Sequence, residues 1–345
     1  MDGQPRAHPA RGKKERETMR PIRWGILSTG MIAKNFAEVA QKLGGEVALE
    51  AVASRSREGA QAFASAYGIP KAYDSYEALA KDPDVDIVYV ATPHSRHYED
   101  MMLLLKNGKH VLCEKSFTVS TAQAQAVYDY ARGQNLLVVE AFWTKFLPIY
   151  REVERRVASG VLGDVRLVTA QYGYTTAREA RKFDPALAGG ALLDIGVYCI
   201  GFAAMILGYA PKEVSASLLL NGVGTDAYDA VTLRYDGAVA QLTSAIGANM
   251  PVFGGIYGTK GRIEIPDFKN PQRFTLFVDG REPEAFELPF DVNGYEYQMR
   301  EAQECLRAGR AYSEIMTPEQ SVAVMRILDE ARRRGGLRFP FEVQG

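Results

Sequence analysis

A lysine, a carboxylate and a phenol lie in or beside apolar segments, where polar groups are costly unless they find partners. Lys115 follows the short apolar segment 110–113, and Asp194 is the only charged residue in the run 191–210, which also contains Tyr198. On a helix, Asp194 and Tyr198 share one face because they are four residues apart. The pattern predicts a proton-transfer site. One alternative is that Lys115 is only a solvated surface charge, and another is that backbone groups alone provide the hydrogen bonds of Asp194 and Tyr198.

A glycine-containing turn follows the apolar segment 22–27. The sequence Ser-Thr-Gly-Met-Ile-Ala matches the fingerprint G-x-G-x-x-G/A, except that serine replaces the first glycine. Such a turn directs the free N–H groups of a helix N-terminus at a pyrophosphate. Serine is compatible with this turn if its φ is negative; a plain strand–helix turn is the alternative. The predicted dinucleotide contacts in this turn are Ser28, Thr29, Gly30, Met31 and Ile32.

The end of the second predicted strand indicates which dinucleotide binds. An NAD site usually places an acidic residue about 20 residues beyond the turn, on the ribose hydroxyls. Here Ser54 and Arg55 stand at that place. A guanidinium pairs well with a 2′-phosphate, so we expect NADP(H) to be preferred, with NAD(H) possible. The alternative is that Arg55 and Arg57 only solvate a loop.

The loop after the third predicted strand carries two of the four histidines. Ligands of open α/β sheets bind beyond the carboxyl ends of the strands. We therefore expect a polar rim over the nicotinamide rather than a metal site, because no carboxylate or third ligand accompanies the histidines. This predicted rim contains Thr92, Pro93, His94 and His97.

The spacing of apolar residues predicts the strands and helices that would position these residues. In the first half, short apolar segments alternate with amphipathic helical segments, which predicts an α/β Rossmann domain with a doubly wound parallel sheet. In the second half, consecutive strand-like segments predict an α+β domain with one large, mostly antiparallel sheet. We predict a disordered leader at 1–18, a dinucleotide-binding domain at 19–142 and a substrate and oligomerisation domain at 143–345. The predicted strands of the first half are 22–27, 47–53, 85–91, 110–113 and 136–141.

Charge and cysteine content restrict the class of partner. The 41 basic and 42 acidic residues nearly cancel, which predicts a small-molecule substrate and neither nucleic-acid nor membrane binding. The three cysteines are widely spaced, which indicates reduced thiols, and residues 1–18 lack the apolar core of a signal peptide. We expect a cytoplasmic protein. The apolar run 191–210 is long enough to span a membrane, but a buried core helix is the favoured interpretation.

The chain resembles the glucose–fructose oxidoreductase / inositol dehydrogenase / rhizopine-catabolism family over nearly all of residues 20–341. The resemblance is carried by the segments 23–26, 113–115, 140–146 and 188–199. Tyr198 stands where most of that family has histidine, and this indicates the dihydrodiol dehydrogenase branch. The family's Glu-Lys-Pro becomes Glu114-Lys115-Ser116 here. The resemblance implies a Rossmann domain, a second domain whose open sheet face forms subunit contacts in a dimer or tetramer, and sugar, inositol or dihydrodiol substrates.

With this resemblance, the candidate residues form a mechanistic hypothesis. Tyr198 is the predicted general acid/base and Lys115 its electrostatic partner, provided that the lysine lowers the tyrosine pKa more than burial raises it. Asp194 orients Lys115 or the substrate hydroxyl, and Glu114 joins Lys115 on the cofactor side. Trp143 and Phe146 form an apolar wall for a ring, although core packing is an equal alternative for both.

The predicted activity is hydride transfer between NADP(H) and a secondary alcohol or carbonyl of a sugar-like or cyclic diol substrate. One alternative is a sugar aldehyde or ketone reductase, or an aldose dehydrogenase of the xylose type. An alternative of another class is a non-catalytic nucleotide-binding regulator built on the same fold.

Overall fold

In a computed structural model of the 345-residue chain, residues 20–175 and 180–342 are described. The predicted leader at 1–18 lies outside the described residues.

The N-terminal sheet has six strands, all parallel, in the order β3-β2-β1-β4-β5-β6. Every residue of the central strand β4 and of the edge strand β6 is buried, as expected for a parallel sheet covered by helices on both faces. The predicted doubly wound sheet is therefore confirmed. Sequence patterning missed β3, a three-residue edge strand too short to show any periodicity. The strands are β1 Arg23–Leu27, β2 Ala48–Ala53, β3 Lys71–Tyr73, β4 Ile87–Val90, β5 His110–Glu114 and β6 Val138–Ala141.

Five helices connect or follow these strands. Serine side chains cap three of them by accepting a backbone N–H of the first turn, namely Ser56, Ser75 and Ser120. The helix after β1 begins at Gly30 and has no such side-chain cap. Its first-turn N–H groups are therefore left for a ligand or water. The helices are α1 Met31–Leu43, α2 Arg57–Tyr67, α3 Tyr76–Ala80, α4 His97–Lys106 and α5 Thr121–Gln134.

The second sheet has eight strands in the order β14-β13-β12-β11-β7-β10-β9-β8. All neighbours are antiparallel except β7 and β10, which confirms a mostly antiparallel sheet. One face is buried, while side chains that alternate with the buried ones along β9 are exposed. The strands are β7 Val165–Tyr174, β8 Glu213–Leu220, β9 Asp226–Arg234, β10 Val239–Ile246, β11 Met250–Gly258, β12 Gly261–Pro266, β13 Arg273–Val278 and β14 Glu284–Glu287.

The apolar run packs against strands of the second sheet. It consists of a π-helical turn, Leu192–Gly196, followed by α7, Val197–Leu207. The segment Pro185–Leu207 has the length and composition of a membrane span, but 83% of its most apolar window is buried inside the protein. This burial agrees with a core helix. The remaining helices are α6 Pro148–Ala158, α8 Glu296–Arg307 and α9 Pro318–Gly335.

Candidate active site

A cleft of about 1290 Å³ opens where the carboxyl ends of the Rossmann strands face the second domain. It joins the glycine turn, the end of β5 and the π-helical turn in one space. Three predicted site residues, Thr29, His97 and Phe146, do not line it. The predicted residues that do line it are Ser28, Gly30, Met31, Ile32, Ser54, Arg55, Thr92, Pro93, His94, Glu114, Lys115, Trp143, Asp194 and Tyr198.

The glycine turn places an uncapped helix end at one side of the cleft. Ser28 has a φ of +94°, so the prediction of a negative φ is wrong, and serine adopts the left-handed backbone usual for the glycine it replaces. Its backbone N–H donates to Ala53 O at 2.9 Å, which ties the turn to β2. At Gly30, the nearest neighbour that an added Cβ would meet is Ser28 Oγ, at 3.7 Å. The start of α1 is therefore open enough for a pyrophosphate to approach its N–H groups.

Ser54 and Arg55 form the rim next to this turn. Ser54 Oγ lies 3.4 Å from Thr29 Oγ1, so Thr29 supports the rim although it does not line the cleft. Arg55 is exposed, and no carboxylate in the described part of the chain forms an ion pair with it. Asp74 and Glu77 line the same part of the cleft. Arg55 is thus a cation available to a phosphate at the edge of the site.

The two histidines of the predicted rim have different positions. His94 lines the cleft, and burial lowers its pKa to about 3. His97 lies behind the cleft, fully buried, with its ring nitrogens each 2.9 Å from a carbonyl oxygen, those of Thr92 and Ser116. Burial lowers its pKa to about 4. The predicted cofactor contact of His97 is therefore corrected: the first turn of α4 directs this ring inward, where it holds two cleft loops together.

Lys115 and Asp194 meet across the cleft. Lys115 Nζ donates to the backbone oxygen of Asp194 and lies 3.4 Å from its Oδ1. Asp194 Oδ2 accepts from the hydroxyl of Tyr174 at 2.9 Å and lies 3.6 Å from Lys182 Nζ. Burial acts to raise the pKa of Asp194, but Lys115 and the other neighbouring positive charges outweigh it and hold this pKa below its usual range. Asp194 is thus an ionised carboxylate that fixes the ammonium of Lys115.

The loop after β5 also binds the π-helical turn directly. Ser116 Oγ donates to Leu193 O at 2.8 Å, and the peptide bond between Lys115 and Ser116 is cis. Beside this loop, Glu114 accepts a hydrogen bond from the hydroxyl of Tyr89 at 2.5 Å. Burial raises the pKa of Glu114 to about 6. Serine in place of the family's proline therefore leaves Lys115 in the cleft.

A buried carboxyl pair supports the π-helical turn from below. Asp226 Oδ2 accepts the N–H of Leu192 at 2.5 Å, and Asp229 Oδ2 accepts the hydroxyl of Ser244 at 2.8 Å. Burial raises the pKa of both carboxyls, and for Asp229 the neighbouring Asp226 adds to it. A Cβ at residue 190 would lie 1.9 Å from Asp226 Oδ1, so the glycine is required for this close approach.

Tyr198 is held by an indole rather than by the lysine. Trp143 Nε1 donates to the Tyr198 hydroxyl oxygen at 3.0 Å, whereas Lys115 Nζ lies 4.9 Å from the centre of the phenol ring. Burial raises the pKa of Tyr198 well above its ordinary value, Tyr295 and Glu114 add to this, and the Trp143 bond opposes it. The expectation that Lys115 outweighs burial is therefore wrong, and the phenol keeps its proton at neutral pH.

Several cleft residues had no recognisable sequence signal. They come from β7, from the helical turn Ala180–Phe183, from the turn after β12 and from the start of α8, where single polar residues do not stand out in the sequence. Trp143 was predicted as an apolar wall, and its hydrogen bond to Tyr198 was missed; Phe146 is buried in the core instead of lining the cleft. The cleft residues missed include Tyr172, Tyr174, Lys182, Lys269 and Tyr295.

Family models match both halves of the chain. Residues 22–142 match the GFO/IDH/MocA oxidoreductase family with an NAD-binding Rossmann fold, and residues 150–264 match the C-terminal domain of the same family. The chain is 37% identical over 330 residues to trans-1,2-dihydrobenzene-1,2-diol dehydrogenase of Xenopus tropicalis, covering 92% of this chain and 99% of that protein. It is 38% identical over 328 residues to the Homo sapiens enzyme of that name, covering 92% and 98%.

Solved structures with the same architecture include a ketoreductase and an aldose-aldose oxidoreductase. A 3-ketoreductase from Actinomadura kijaniata, in complex with NADP and TDP-benzene, superposes with a TM-score of 0.83 at 28% identity, covering 91% of this chain and 98% of that chain. An aldose-aldose oxidoreductase from Caulobacter crescentus, complexed with glycerol, has a TM-score of 0.83 at 26% identity, covering 92% and 98%. With both domains matched and relatives above 30% identity along its length, the chain belongs to the GFO/IDH/MocA family of oxidoreductases.

Proposed function

We propose that the protein is an NADP(H)-dependent oxidoreductase that acts on a secondary alcohol or carbonyl of a sugar-like or cyclic diol substrate. The observation that carries this proposal is the convergence of Lys115, Asp194 and Tyr198 in the same cleft as the glycine turn. The dehydrogenase names of the relatives support an enzyme rather than a nucleotide-binding regulator.

The residues of the cleft fit a dinucleotide. The uncapped start of α1 at Gly30 suits a pyrophosphate, and the exposed Arg55 suits a 2′-phosphate, which favours NADP(H). NADP in the complex of the Actinomadura kijaniata ketoreductase supports the same choice. When bound, the nicotinamide supplies the hydride acceptor or donor.

Tyr198 exchanges the proton with the substrate oxygen. Because the Trp143 N–H occupies one acceptor position of the phenol oxygen, the phenol O–H is free to donate towards the cleft. In reduction Tyr198 protonates the nascent alkoxide and becomes a phenolate, and in oxidation that phenolate form takes up the hydroxyl proton. A positioned proton transfer of this kind contributes about 10²- to 10⁴-fold to the rate.

Lys115 and Asp194 support this transfer. The ammonium of Lys115 lies over the phenol ring and stabilises negative charge that develops on the phenol or substrate oxygen. Asp194 binds the same ammonium and keeps it in the cleft. Lys115 is thus the electrostatic partner and Asp194 a positioning residue.

Reduction of a sugar ketone or aldehyde is the second candidate. The raised pKa of Tyr198 keeps the phenol protonated, and a protonated phenol suits donation better than abstraction. The 3-ketoreductase among the similar structures agrees with this direction.

A substrate panel tests the proposal. Cyclic diols, pentoses and inositols are offered with NADP⁺ or NAD⁺, and the corresponding ketones and aldehydes with NADPH or NADH. We expect turnover of at least one alcohol or carbonyl pair, faster with the phosphorylated cofactor. Tight dinucleotide binding without turnover of any compound would instead indicate a regulator.

We further propose that the open face of the second sheet forms a homo-oligomer, either a dimer or a tetramer. Large apolar side chains are exposed there or at its edge, with Leu219 61% and Tyr228 39% accessible. Sedimentation analysis of the protein and of Thr243→Arg, an exposed position on central strand β10, tests this. An oligomer that the arginine dissociates supports the proposal, and a monomeric parent protein contradicts it.

A further inference from the structure

Lys269 is carried by a tight turn at the edge of the cleft. The turn follows β12, and Asp267 adopts a left-handed φ of 50° in it. The N–H of Asn270 donates to Asp267 O at 2.8 Å, and the N–H of Asp267 donates to Val252 O at 2.7 Å. The backbone beneath Lys269 is therefore fixed on the second sheet.

Two buried hydroxyls from the segment that follows the Rossmann domain bind this turn. Thr144 Oγ1 donates to the backbone oxygen of Lys269, and the hydroxyl of Tyr150 donates to that of Phe268. Thr144 and Phe268 are fully buried. Trp143, which donates to Tyr198, directly precedes Thr144 in the chain. The hydrogen bond from Thr144 therefore also sets the position of Lys269 relative to Trp143.

The Lys269 side chain lines the cleft and has no ion-pair partner among the described residues. Its Nζ lies 5.4 Å from the ring centre of Tyr172 and 5.9 Å from that of Trp143, and the residue lines the cleft. No carboxylate within residues 20–175 or 180–342 forms an ion pair with it, whereas Lys115 is paired with Asp194. Burial and the charge of Lys115 lower the pKa of Lys269, although the nearby carboxylate of Asp267 acts to raise it, and an anion bound in the cleft would add to the effect of Asp267.

We propose that Lys269 recognises a carboxylate or phosphate on the ring of the substrate, so that the preferred substrates are anionic cyclic polyols such as sugar acids or sugar phosphates. This substrate class rests on the proposed function. Trp143 connects the two groups, because its N–H bonds to the Tyr198 hydroxyl at 3.0 Å while Lys269 lies over the same indole. The anionic substituent therefore lies on a different ring carbon from the reacting carbinol.

Aromatic side chains around Lys269 fit the ring itself. The ring centres of Trp143 and Tyr295 are 4.5 Å apart, and those of Tyr172 and Tyr198 are 6.2 Å apart. Such faces pack against the C–H surface of a six-membered ring, while the cation supplies the charge recognition that the rings lack.

The test compares glucose, glucuronate and glucose 6-phosphate, which share one ring and differ in charge. Binding is measured by calorimetry in the presence of NADPH, and kcat/KM is measured with NADP⁺. A charged hydrogen bond contributes about 1.5–3 kcal/mol, so at least one anion should be preferred over glucose by about 10- to 150-fold. The two anionic compounds distinguish a carboxylate site from a phosphate site.

Variants of Lys269 test whether this side chain causes the preference for an anion over glucose. Lys269→Met should abolish it, Lys269→Arg should retain part of it, and Lys260→Met, at an exposed lysine outside the cleft, should leave it unchanged. NADPH affinity should be the same in all variants. If neither anion binds better than glucose, or Lys269→Met keeps the preference, the inference is overturned. If anions bind through Lys269 but no compound of this set or of the substrate panel is turned over, the proposed function fails while anion recognition stands.

Discussion

Replacing Trp143 by phenylalanine removes the N–H that holds the phenol oxygen of Tyr198. Both residues are 7% exposed, and the donor and acceptor are 3.0 Å apart, so the substitution removes a largely buried hydrogen bond. The ring of phenylalanine can keep much of the contact with Tyr295. We therefore expect Trp143→Phe to fold and to bind the dinucleotide as the parent protein does.

The loss of hydride-transfer rate in Trp143→Phe measures how much negative charge develops on the phenol of Tyr198. A bond between neutral groups contributes about 0.5–1.5 kcal/mol, and a bond to a charged oxygen about 1.5–3 kcal/mol. If negative charge develops on Tyr198 in the transition state, the variant loses the stronger bond there. Because the variant also loses the weaker bond in the ground state, only the difference of about 1–1.5 kcal/mol slows the step, so we expect the single-turnover rate to fall by about 5- to 13-fold while the Kd for NADPH stays constant.

Trp24→Phe is the matched control. Trp24 is fully buried in the Rossmann core, and its Nε1 has no hydrogen-bond partner among the described residues. The same chemical change should lower stability there without changing the rate of hydride transfer. A rate for Trp143→Phe within twofold of the parent protein would refute the role given to the indole, as would an equal loss of rate in Trp24→Phe.

Three further changes have defined outcomes. Ser28→Gly removes a left-handed serine, so the free energy of unfolding should rise by about 1 kcal/mol in denaturant titration; a decrease would contradict the strained turn. Arg55→Ala should weaken NADPH binding by about 10- to 150-fold and leave NADH binding unchanged in fluorescence titration; equal losses would exclude 2′-phosphate recognition. Asp229→Asn should become more stable than the parent protein as pH rises. The pKa of Asp229 is higher in the folded state than in the unfolded state. The carboxyl therefore stabilises the folded protein fully at a pH below its unfolded pKa of about 4. As the pH rises from there towards the folded pKa, this stabilisation is lost by roughly 1.4 kcal/mol per pH unit. Unfolding titrations between about pH 5 and about pH 8 should show this slope; parallel stability curves would contradict it.

The sequence was enough to predict where the site residues lie along their strands and helices. Lys115 comes at the carboxyl end of a buried parallel strand, and such ends meet at one edge of the sheet. Asp194 and Tyr198 lie in one apolar helical segment, which had to pack in the interior. The cleft that joins them follows from these two facts and from the family resemblance.

Orientation and local backbone conformation were not predictable. The direction of the His97 ring depends on the carbonyls of two loops, and the positive φ of Ser28 depends on its tie to β2. Lys269 and Tyr172 lie far apart in sequence and reach the cleft only through the register of the second sheet. The cytoplasmic location and the homo-oligomer stay predictions.

Single-turnover hydride transfer in Tyr198→Phe and Lys115→Met, with the Kd for NADPH measured in parallel, tests the central claim most directly. If the phenol transfers the proton and the ammonium stabilises its charge, Tyr198→Phe loses about 10²- to 10⁴-fold in rate, Lys115→Met loses a large part of it, and both keep their affinity for NADPH. Turnover that survives both substitutions would contradict the assignment.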